Sequence, residues 1–137
     1  MADGEVREVR QRAEEVFRQL APEGVQPPWV AVADLAPTLG RHIQHGLGSI
    51  MARPVLDLRT RELTTICMLA AIGGCEPQLA FHVGGALQAG ASVAEIVEAL
   101  TQVSLYAGLP RTLNALSVAR QVFAERDLLA ATGQPDN

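Results

Sequence analysis

The chain has 137 residues, of which 48% are hydrophobic and 19% are charged, and its net charge is −4. The hydrophobic content suits a folded protein, and the length predicts a single domain over residues 1–137. The negative charge disfavours a surface built for nucleic acid or for an anionic membrane. Aromatic residues make up only 4% of the chain, which is typical of packed helices rather than of a β-sandwich.

The first segment predicts an amphipathic helix over residues 4–20, in which charged residues separate apolar ones. The apolar residues recur at helical spacing: Val6, Val9, Ala13, Val16, Phe17 and Leu20. This charged start lacks the apolar segment of a signal peptide, and no run in the chain approaches the roughly 18 apolar residues that cross a bilayer. We therefore expect a soluble, cytoplasmic protein without a membrane partner.

Five more helices are predicted after the prolines at positions 22, 27 and 28. They cover residues 29–51, 58–72, 77–89, 93–107 and 111–130. Gly73 and Gly74 end the 58–72 helix, and the run from Ser92 to Glu95 is a capping-box pattern. No segment alternates apolar and polar residues as a half-buried strand does. The predicted fold class is therefore all-α, with about six helices.

Glu62 places a carboxylate on an apolar stripe of the 58–72 helix. It shares this face with Leu58, Ile66 and Leu69, so we expect it to be partly buried. A partly buried carboxylate is suited to acid/base catalysis. The simpler interpretation is a glutamate in the first helical turn that favours the helix dipole. The residues alone leave both interpretations open.

His82 lies on one face of the 77–89 helix together with Gln78. The small residues Gly84, Gly85 and Ala86 leave space beside it, either for a close helix or for a ligand. Histidine is the side chain that most often acts as a general acid or base. A single histidine on such a face is also commonly a hydrogen-bonded core residue, and this alternative stays open.

The chain has two cysteines, Cys67 and Cys75, which are too few for a cysteine-based zinc site. Cys75 lies near a predicted helix N-terminus, where exposed N–H groups favour a thiolate. The alternative is a small apolar residue that fills space, which is also our interpretation of Cys67. The sequence contains no Cys-x-x-Cys pair.

Two histidines and two arginines are further candidates. His42 and His45 are three residues apart on a predicted helix, a spacing that would provide two ligands for a metal ion. The spacing of the other residues identifies no third ligand. A polar face or an oligomer contact is the favoured interpretation of these two. Arg53 and Arg111 lie near helix ends, where they either bind a substrate carboxylate or remain solvated.

Three segments of the chain carry a family resemblance. They are RPVLDLRTREL from Arg53, AAIGGCEPQLAFHVGGALQAGASVAEIVEAL from Ala70, and YAGLPRTLNAL from Tyr106. Together they resemble the carboxymuconolactone decarboxylase family over about residues 46–124. The resemblance implies an alkylhydroperoxidase D-like helical bundle and a homo-oligomer, trimer or hexamer, with active sites near subunit contacts. It implies neither an organic cofactor nor a metal.

The decarboxylase branch of this family implies a small-molecule substrate from aromatic catabolism. Its reaction converts carboxymuconolactone into carbon dioxide and an enol-lactone of β-ketoadipate. Matching the segments residue by residue makes Glu62 and His82 the expected catalytic residues. Arg53, Cys75, Gln78 and His45 are the expected substrate-binding residues. A second branch, similar to alkylhydroperoxidase D, uses a Cys-x-x-Cys pair. Here Cys75 matches its first cysteine, and Gln78 replaces the second.

The sequence also departs from the decarboxylase pattern at several positions. Gly84 stands where a basic residue is common, and Gln88 and Ala89 replace two asparagines. The loss of a positive charge favours a larger or less charged substrate, such as a natural-product intermediate. Three hypotheses therefore stay open: a cofactor-free lyase that uses Glu62 and His82, a single-cysteine peroxidase that uses Cys75, and a non-catalytic oligomeric binding subunit.

Overall fold

The computed structural model describes residues 2–132. These residues form seven α-helices, one π-helical turn and one 3₁₀ turn, and none of them lies in a β-strand. The helices are α1 (Asp3–Leu20), α2 (Pro28–Ala31), α3 (Pro37–Gly46), α4 (Leu58–Ile72), α5 (Glu76–Gln88), α6 (Val93–Ala107) and α7 (Leu109–Glu125). The predicted all-α fold class is confirmed, with one helix more than expected. Within residues 2–132, no helix is long and apolar enough to cross a membrane.

The chain divides at Leu58 into two compact units. The first unit contains α1, α2, α3 and the π-helical turn Leu47–Met51. The second unit starts at Arg59 and contains the rest of α4 together with α5, α6 and α7. That the whole chain folds as one domain stays a prediction.

The first unit is built around the apolar face of α1. Its buried residues are those that the helical spacing indicated: Val9, Ala13, Val16, Phe17 and Leu20. The ring of Phe17 meets the buried ring of Trp29 edge to face, with ring centroids 5.5 Å apart. On the exposed side of α1, Arg12 pairs with Glu8 and Arg18 pairs with Glu15. The predicted helix over residues 4–20 is therefore confirmed.

The single helix predicted over residues 29–51 is wrong. The structure breaks this stretch into α2, a loop, α3 and the π-helical turn Leu47–Met51. Pro37 begins α3, because a proline has no N–H to donate inside a helix. In the loop, the Asp34 carboxylate accepts a hydrogen bond from the backbone N–H of Leu35, with N and Oδ1 2.9 Å apart. Such side-chain bonds offer the backbone an alternative to helical hydrogen bonds.

Gly48 allows the π-helical turn to approach α1, since a Cβ at this position would overlap the carbonyl group of Val9. We expect Gly48→Ala to lower the free energy of unfolding by about 1–3 kcal/mol, because the main chains must move apart. The matched control is Gly46→Ala, where a Cβ meets nothing within 4 Å and helix propensity predicts a gain of about 0.5–1 kcal/mol. Urea unfolding measures both, and equal effects would contradict the close approach.

The second unit has a continuous apolar core to which all four of its helices contribute. α4 supplies Ile66 and Ala70, and α5 supplies Leu79 and Val83. Ile96 and Leu100 of α6 and Ala119, Val122 and Phe123 of α7 complete it. On α6 the buried residues recur at helical spacing and form one apolar stripe: Val93, Ile96, Leu100 and Val103.

The starts and ends of the helices in the second unit follow local sequence signals. Gly73 and Gly74 both have φ of +71°, which suits glycine and turns the chain from α4 into α5. At the start of α6, the Ser92 hydroxyl accepts from the N–H of Glu95 at 3.0 Å, and the Glu95 carboxylate accepts from the N–H of Ser92 at 3.2 Å. The predicted capping box is therefore present.

The helix predicted over residues 111–130 is displaced at both ends. α7 begins at Leu109, because Pro110 fits the first helical turn. It ends at Glu125, before Asp127 takes a φ of +55° and the chain continues into the 3₁₀ turn Leu129–Thr132. The left-handed conformation of Asp127 ends the helix where the sequence carries no glycine or proline.

Candidate acid/base site

The structure brings Glu62 of α4 and His82 of α5 into direct contact. The Nδ1 atom of His82 lies 2.8 Å from Oε2 of Glu62, within hydrogen-bonding distance. With an ionised carboxylate as acceptor, Nδ1 carries the proton and donates it. The two expected catalytic residues therefore form a pair that links consecutive helices across the Gly73–Gly74 turn.

Glu62 is fully buried, and one of its oxygens is left without a partner. Its relative exposure is 0%, and it sits on the same helix as the core residues Ile66 and Ala70. Within residues 2–132, Oε1 accepts no hydrogen bond. An unsatisfied polar atom in a protein interior costs about 1–3 kcal/mol. Packing alone therefore does not explain why a carboxylate occupies this position.

His82 is the partly exposed member of the pair. Its side chain is 26% exposed, whereas that of Glu62 is 0% exposed. Its ring also meets the ring of Phe81 edge to face, with centroids 5.1 Å apart. Because Nδ1 is engaged by Glu62, Nε2 is the ring nitrogen left for a molecule that approaches from outside. The arrangement is that of an imidazole oriented by a buried carboxylate.

Cys75 lies at the start of α5 and makes a local hydrogen bond. Its thiol donates to the backbone carbonyl of Leu69, with Sγ and O 3.2 Å apart. The thiol is therefore already hydrogen-bonded to a neighbouring backbone group. Gln78 is exposed on α5, one turn before His82, where its amide is accessible.

An apolar groove of about 530 Å³, which was not predicted from the sequence, lies between α4 and α6 in the second unit. Its lining residues include Thr64, Cys67, Met68, Gln102 and Tyr106. The sequence hinted at this groove only through the spacing of its α4 residues. Thr64, Cys67 and Met68 recur every three or four positions, on the side of α4 opposite Glu62.

Glu62 and His82 do not line this groove. Glu62 is two residues away from the groove residues Thr60 and Thr64, which places it on the other side of α4. Cys67, which the sequence suggested was a small space-filling residue, lies in the wall of the groove. Its thiol donates a hydrogen bond to the backbone carbonyl of Ala99, with Sγ and O 3.4 Å apart. Burial raises the pKa of the Cys67 thiol, so the neutral form is favoured there.

Comparison with known proteins identifies the family. The sequence profile of the carboxymuconolactone decarboxylase family matches residues 37–121. The chain belongs to the carboxymuconolactone decarboxylase family. Both members of the Glu62–His82 pair lie inside the matched region, and so do Cys75 and Gln78. The resemblance seen in the sequence is thereby confirmed.

Two relatives show how similar individual family members are. The chain is 39% identical over 99 residues to an uncharacterized 15.0 kDa protein in the nqo9-nqo10 intergenic region of Paracoccus denitrificans, and the match covers 71% of this chain and 74% of the relative. It is 37% identical over 78 residues to a 4-carboxymuconolactone decarboxylase of Acinetobacter baylyi. That second match covers 57% of this chain and 58% of the Acinetobacter protein.

The guanidinium of Arg126 lies against Gly84, the position of α5 at which the sequence lacks a basic residue. A Cβ at Gly84 would lie 2.7 Å from a terminal guanidinium nitrogen of Arg126, which follows α7. The space expected beside Gly84 is therefore occupied by this guanidinium. Residues two apart on a helix point about 200° apart, so Arg126 meets the side of α5 opposite His82.

Arg111, the candidate on α7, donates a hydrogen bond from its guanidinium to the backbone carbonyl of Ile72 at the end of α4, whereas the remaining candidates lie in the first unit. Arg53 is exposed between the π-helical turn and α4, where its N–H donates to the carbonyl of Ile50 at 3.2 Å. His42 and His45 are exposed on α3. His45 lines a small cleft with Arg10 and Arg41, two arginines that sequence analysis did not single out. Within residues 2–132, no three His, Cys, Asp or Glu side chains are grouped as a metal site requires.

Proposed function

We propose that this chain is a cofactor-independent lyase of the decarboxylase type, acting by acid/base chemistry on a small unsaturated lactone or carboxylate. Family membership and the similarity to a 4-carboxymuconolactone decarboxylase support the reaction class. The main structural support is the contact between Glu62 and His82. The Glu62 carboxylate is fully buried and, within residues 2–132, has one oxygen without a hydrogen-bond partner, whereas the His82 imidazole is partly exposed. A related natural-product intermediate is the alternative substrate, because Gln88 and Ala89 change the end of α5.

The proposed reaction begins with loss of carbon dioxide from the substrate carboxylate. The bond between the carboxylate carbon and the ring carbon breaks, and its electron pair is delocalised onto the lactone carbonyl oxygen. An N–H donor stabilises this dienolate, and we assign that donor to Nε2 of protonated His82. His82 then transfers its proton to the substrate carbon and regains one from solvent.

We assign Glu62 a positioning role in this reaction. It is fully buried, so the substrate meets His82 first. Its carboxylate accepts the Nδ1 proton, fixes the orientation of the ring and stabilises the imidazolium form. Arg53, Gln78, Cys75 and His45 stay candidates for substrate binding. Of these, Gln78 is supported by its exposed position one turn from His82.

The test is turnover of carboxymuconolactone in D₂O. We expect release of carbon dioxide, with one deuterium in the product at the protonated carbon, because His82 exchanges its proton with solvent before transferring it. Cys75→Ser is expected to retain turnover within about threefold, since a serine hydroxyl can also donate to the Leu69 carbonyl. Mass spectrometry and a coupled carbon dioxide assay measure both quantities.

Two outcomes of this experiment would contradict the lyase. If the protein releases no carbon dioxide from carboxymuconolactone or from related β,γ-unsaturated acids, the proposed decarboxylation of these substrates is wrong, although the fold and the family remain. A protein that reduces alkyl hydroperoxides with an added thiol, and loses this activity in Cys75→Ser, would be a single-cysteine peroxidase.

We further propose that the protein is a cytoplasmic homo-oligomer, a trimer or a hexamer as the family resemblance implies. Exposed apolar side chains near the ends of three helices support the association: Met68, Ile72, Leu105, Tyr106, Leu109 and Leu113. Tyr106 is 87% exposed and Leu105 is 77% exposed, which is unusual for such large side chains. We expect sedimentation equilibrium to give three or six times the chain mass, and Leu105→Glu with Tyr106→Glu to give monomers. A wild-type monomer would contradict this proposal.

A further inference from the structure

A small cleft in the first unit collects positive charge without a carboxylate. It lies between α1 and α3 and has a volume of about 150 Å³. Its lining residues are Val6, Val9, Arg10, Arg41, Gln44 and His45. Two guanidinium groups, one amide and one imidazole therefore face a space whose remaining wall is made by two valines. The chain as a whole has a net charge of −4, so a cleft lined by two arginines and no acidic residue requires an explanation.

The two arginines of this cleft are not neutralised by their neighbours. Within residues 2–132, Arg10 forms no ion pair, and the side chain of Arg41 bonds only to the hydroxyl of Thr38, at 3.0 Å. The acidic residues Asp3 and Glu14, which flank Arg10 along α1, do not line the cleft. Two like charges held near each other repel, and a bound anion would relieve that repulsion.

The size and composition of the cleft define the class of ligand. Its volume is below the range of about 300–1,000 Å³ that encloses a whole small molecule. It is therefore suited to one charged group, with the rest of the ligand outside. Guanidinium groups bind carboxylates and phosphates through paired hydrogen bonds. We infer that this cleft binds an oxyanion group, a carboxylate or a phosphate.

This site does not depend on the proposed lyase activity. The family match starts at residue 37, so α3 with Arg41 and His45 lies inside it and α1 with Arg10 lies outside it. The cleft therefore combines a helix of the family core with the N-terminal helix of this chain. Its test is a binding measurement, which gives a result whether or not the protein decarboxylates any substrate.

The experiment is an NMR titration of the full chain with inorganic phosphate, and separately with acetate, at constant ionic strength. The protein has only three histidines, so each imidazole signal can be followed individually. As the concentration of phosphate or acetate rises through the millimolar range, we expect the chemical shifts of the His45 imidazole to change and then saturate. The chemical shifts of His42 should show no matching change. His42 is the internal control, because it is exposed on the same helix but does not line the cleft.

Matched variants test the arginines. We expect Arg10→Gln and Arg41→Gln each to weaken binding about tenfold, because each removes one charged donor. Arg7→Gln removes the same charge from α1 outside the cleft and should leave the affinity within about twofold. Tighter binding of phosphate or of acetate identifies which oxyanion the cleft prefers. Equal, unsaturated shifts at His42 and His45, or equal weakening in Arg7→Gln, would overturn the inference.

Discussion

Replacing His82 by alanine is expected to lower the turnover number for carboxymuconolactone by about 10²- to 10⁴-fold. The imidazole is the partly exposed member of the Glu62–His82 pair, and its Nε2 atom is the proposed donor to the dienolate. The substrate affinity should change far less, because the loss falls mainly on the transition state. Steady-state kinetics of the purified variant give both quantities.

Two further variants separate a chemical role of His82 from a structural one. His42→Ala removes an exposed histidine from α3 and should leave turnover unchanged. His82→Gln keeps a polar side chain that can still donate to Glu62, but it cannot supply a proton at neutral pH. It should fold like the wild type and lose nearly as much turnover as His82→Ala. Full activity in His82→Gln would remove His82 from the chemistry.

Glu62→Met is expected to stabilise the protein by about 1–3 kcal/mol while it abolishes most of the activity. The substitution keeps the length of the side chain and removes a buried oxygen that has no partner within residues 2–132. His82 loses its acceptor, but its ring is partly exposed, so water can replace the lost bond. Chemical denaturation measures the gain, and the decarboxylation assay measures the loss.

Thr112 provides the matched control for Glu62→Met, because it is a buried polar residue whose side chain has a hydrogen-bond partner. It is 5% exposed, and its hydroxyl donates to the carbonyl of Gly108 at 3.2 Å. Thr112→Val should lower the free energy of unfolding by about 1 kcal/mol, in the opposite direction to Glu62→Met. Glu62→Gln should bring no gain in stability, since the amide oxygen can still accept from His82 but the amide NH₂ group would be buried without a partner where Oε1 lies. If Glu62→Met unfolds more readily than the wild type, Glu62 is a structural residue.

The sequence predicted the parts of this protein that local patterns determine. Apolar spacing located α1, α4 and α6, and the Ser92–Glu95 capping box marked the start of α6. The sequence also led to the correct family, because the family motifs are continuous runs of residues. Glu62 and His82 were found together for the same reason: each sits in such a run, on helices joined by a two-glycine turn.

Tertiary structure decided what depends on residues distant in the sequence. The apolar character of residues 29–51 did not reveal the π-helical turn Leu47–Met51, where Gly48 closely approaches Val9 of α1. The guanidinium of Arg126 occupies the space at Gly84, although 42 positions separate them in the numbered chain. The cleft of Arg10, Arg41 and His45 likewise exists only where α1 and α3 meet.

The same division holds within the candidate site. The family resemblance, carried by continuous runs of sequence, implied that Glu62 and His82 act together, whereas helical spacing alone left the role of each residue open. Only the packed helices decided that Glu62 is fully buried with one unpaired oxygen, whereas His82 remains partly exposed. Burial is set by neighbours from several helices, which a single helical stripe does not specify. In the proposed reaction, this difference in burial is the reason that His82 contacts the substrate and Glu62 positions its ring.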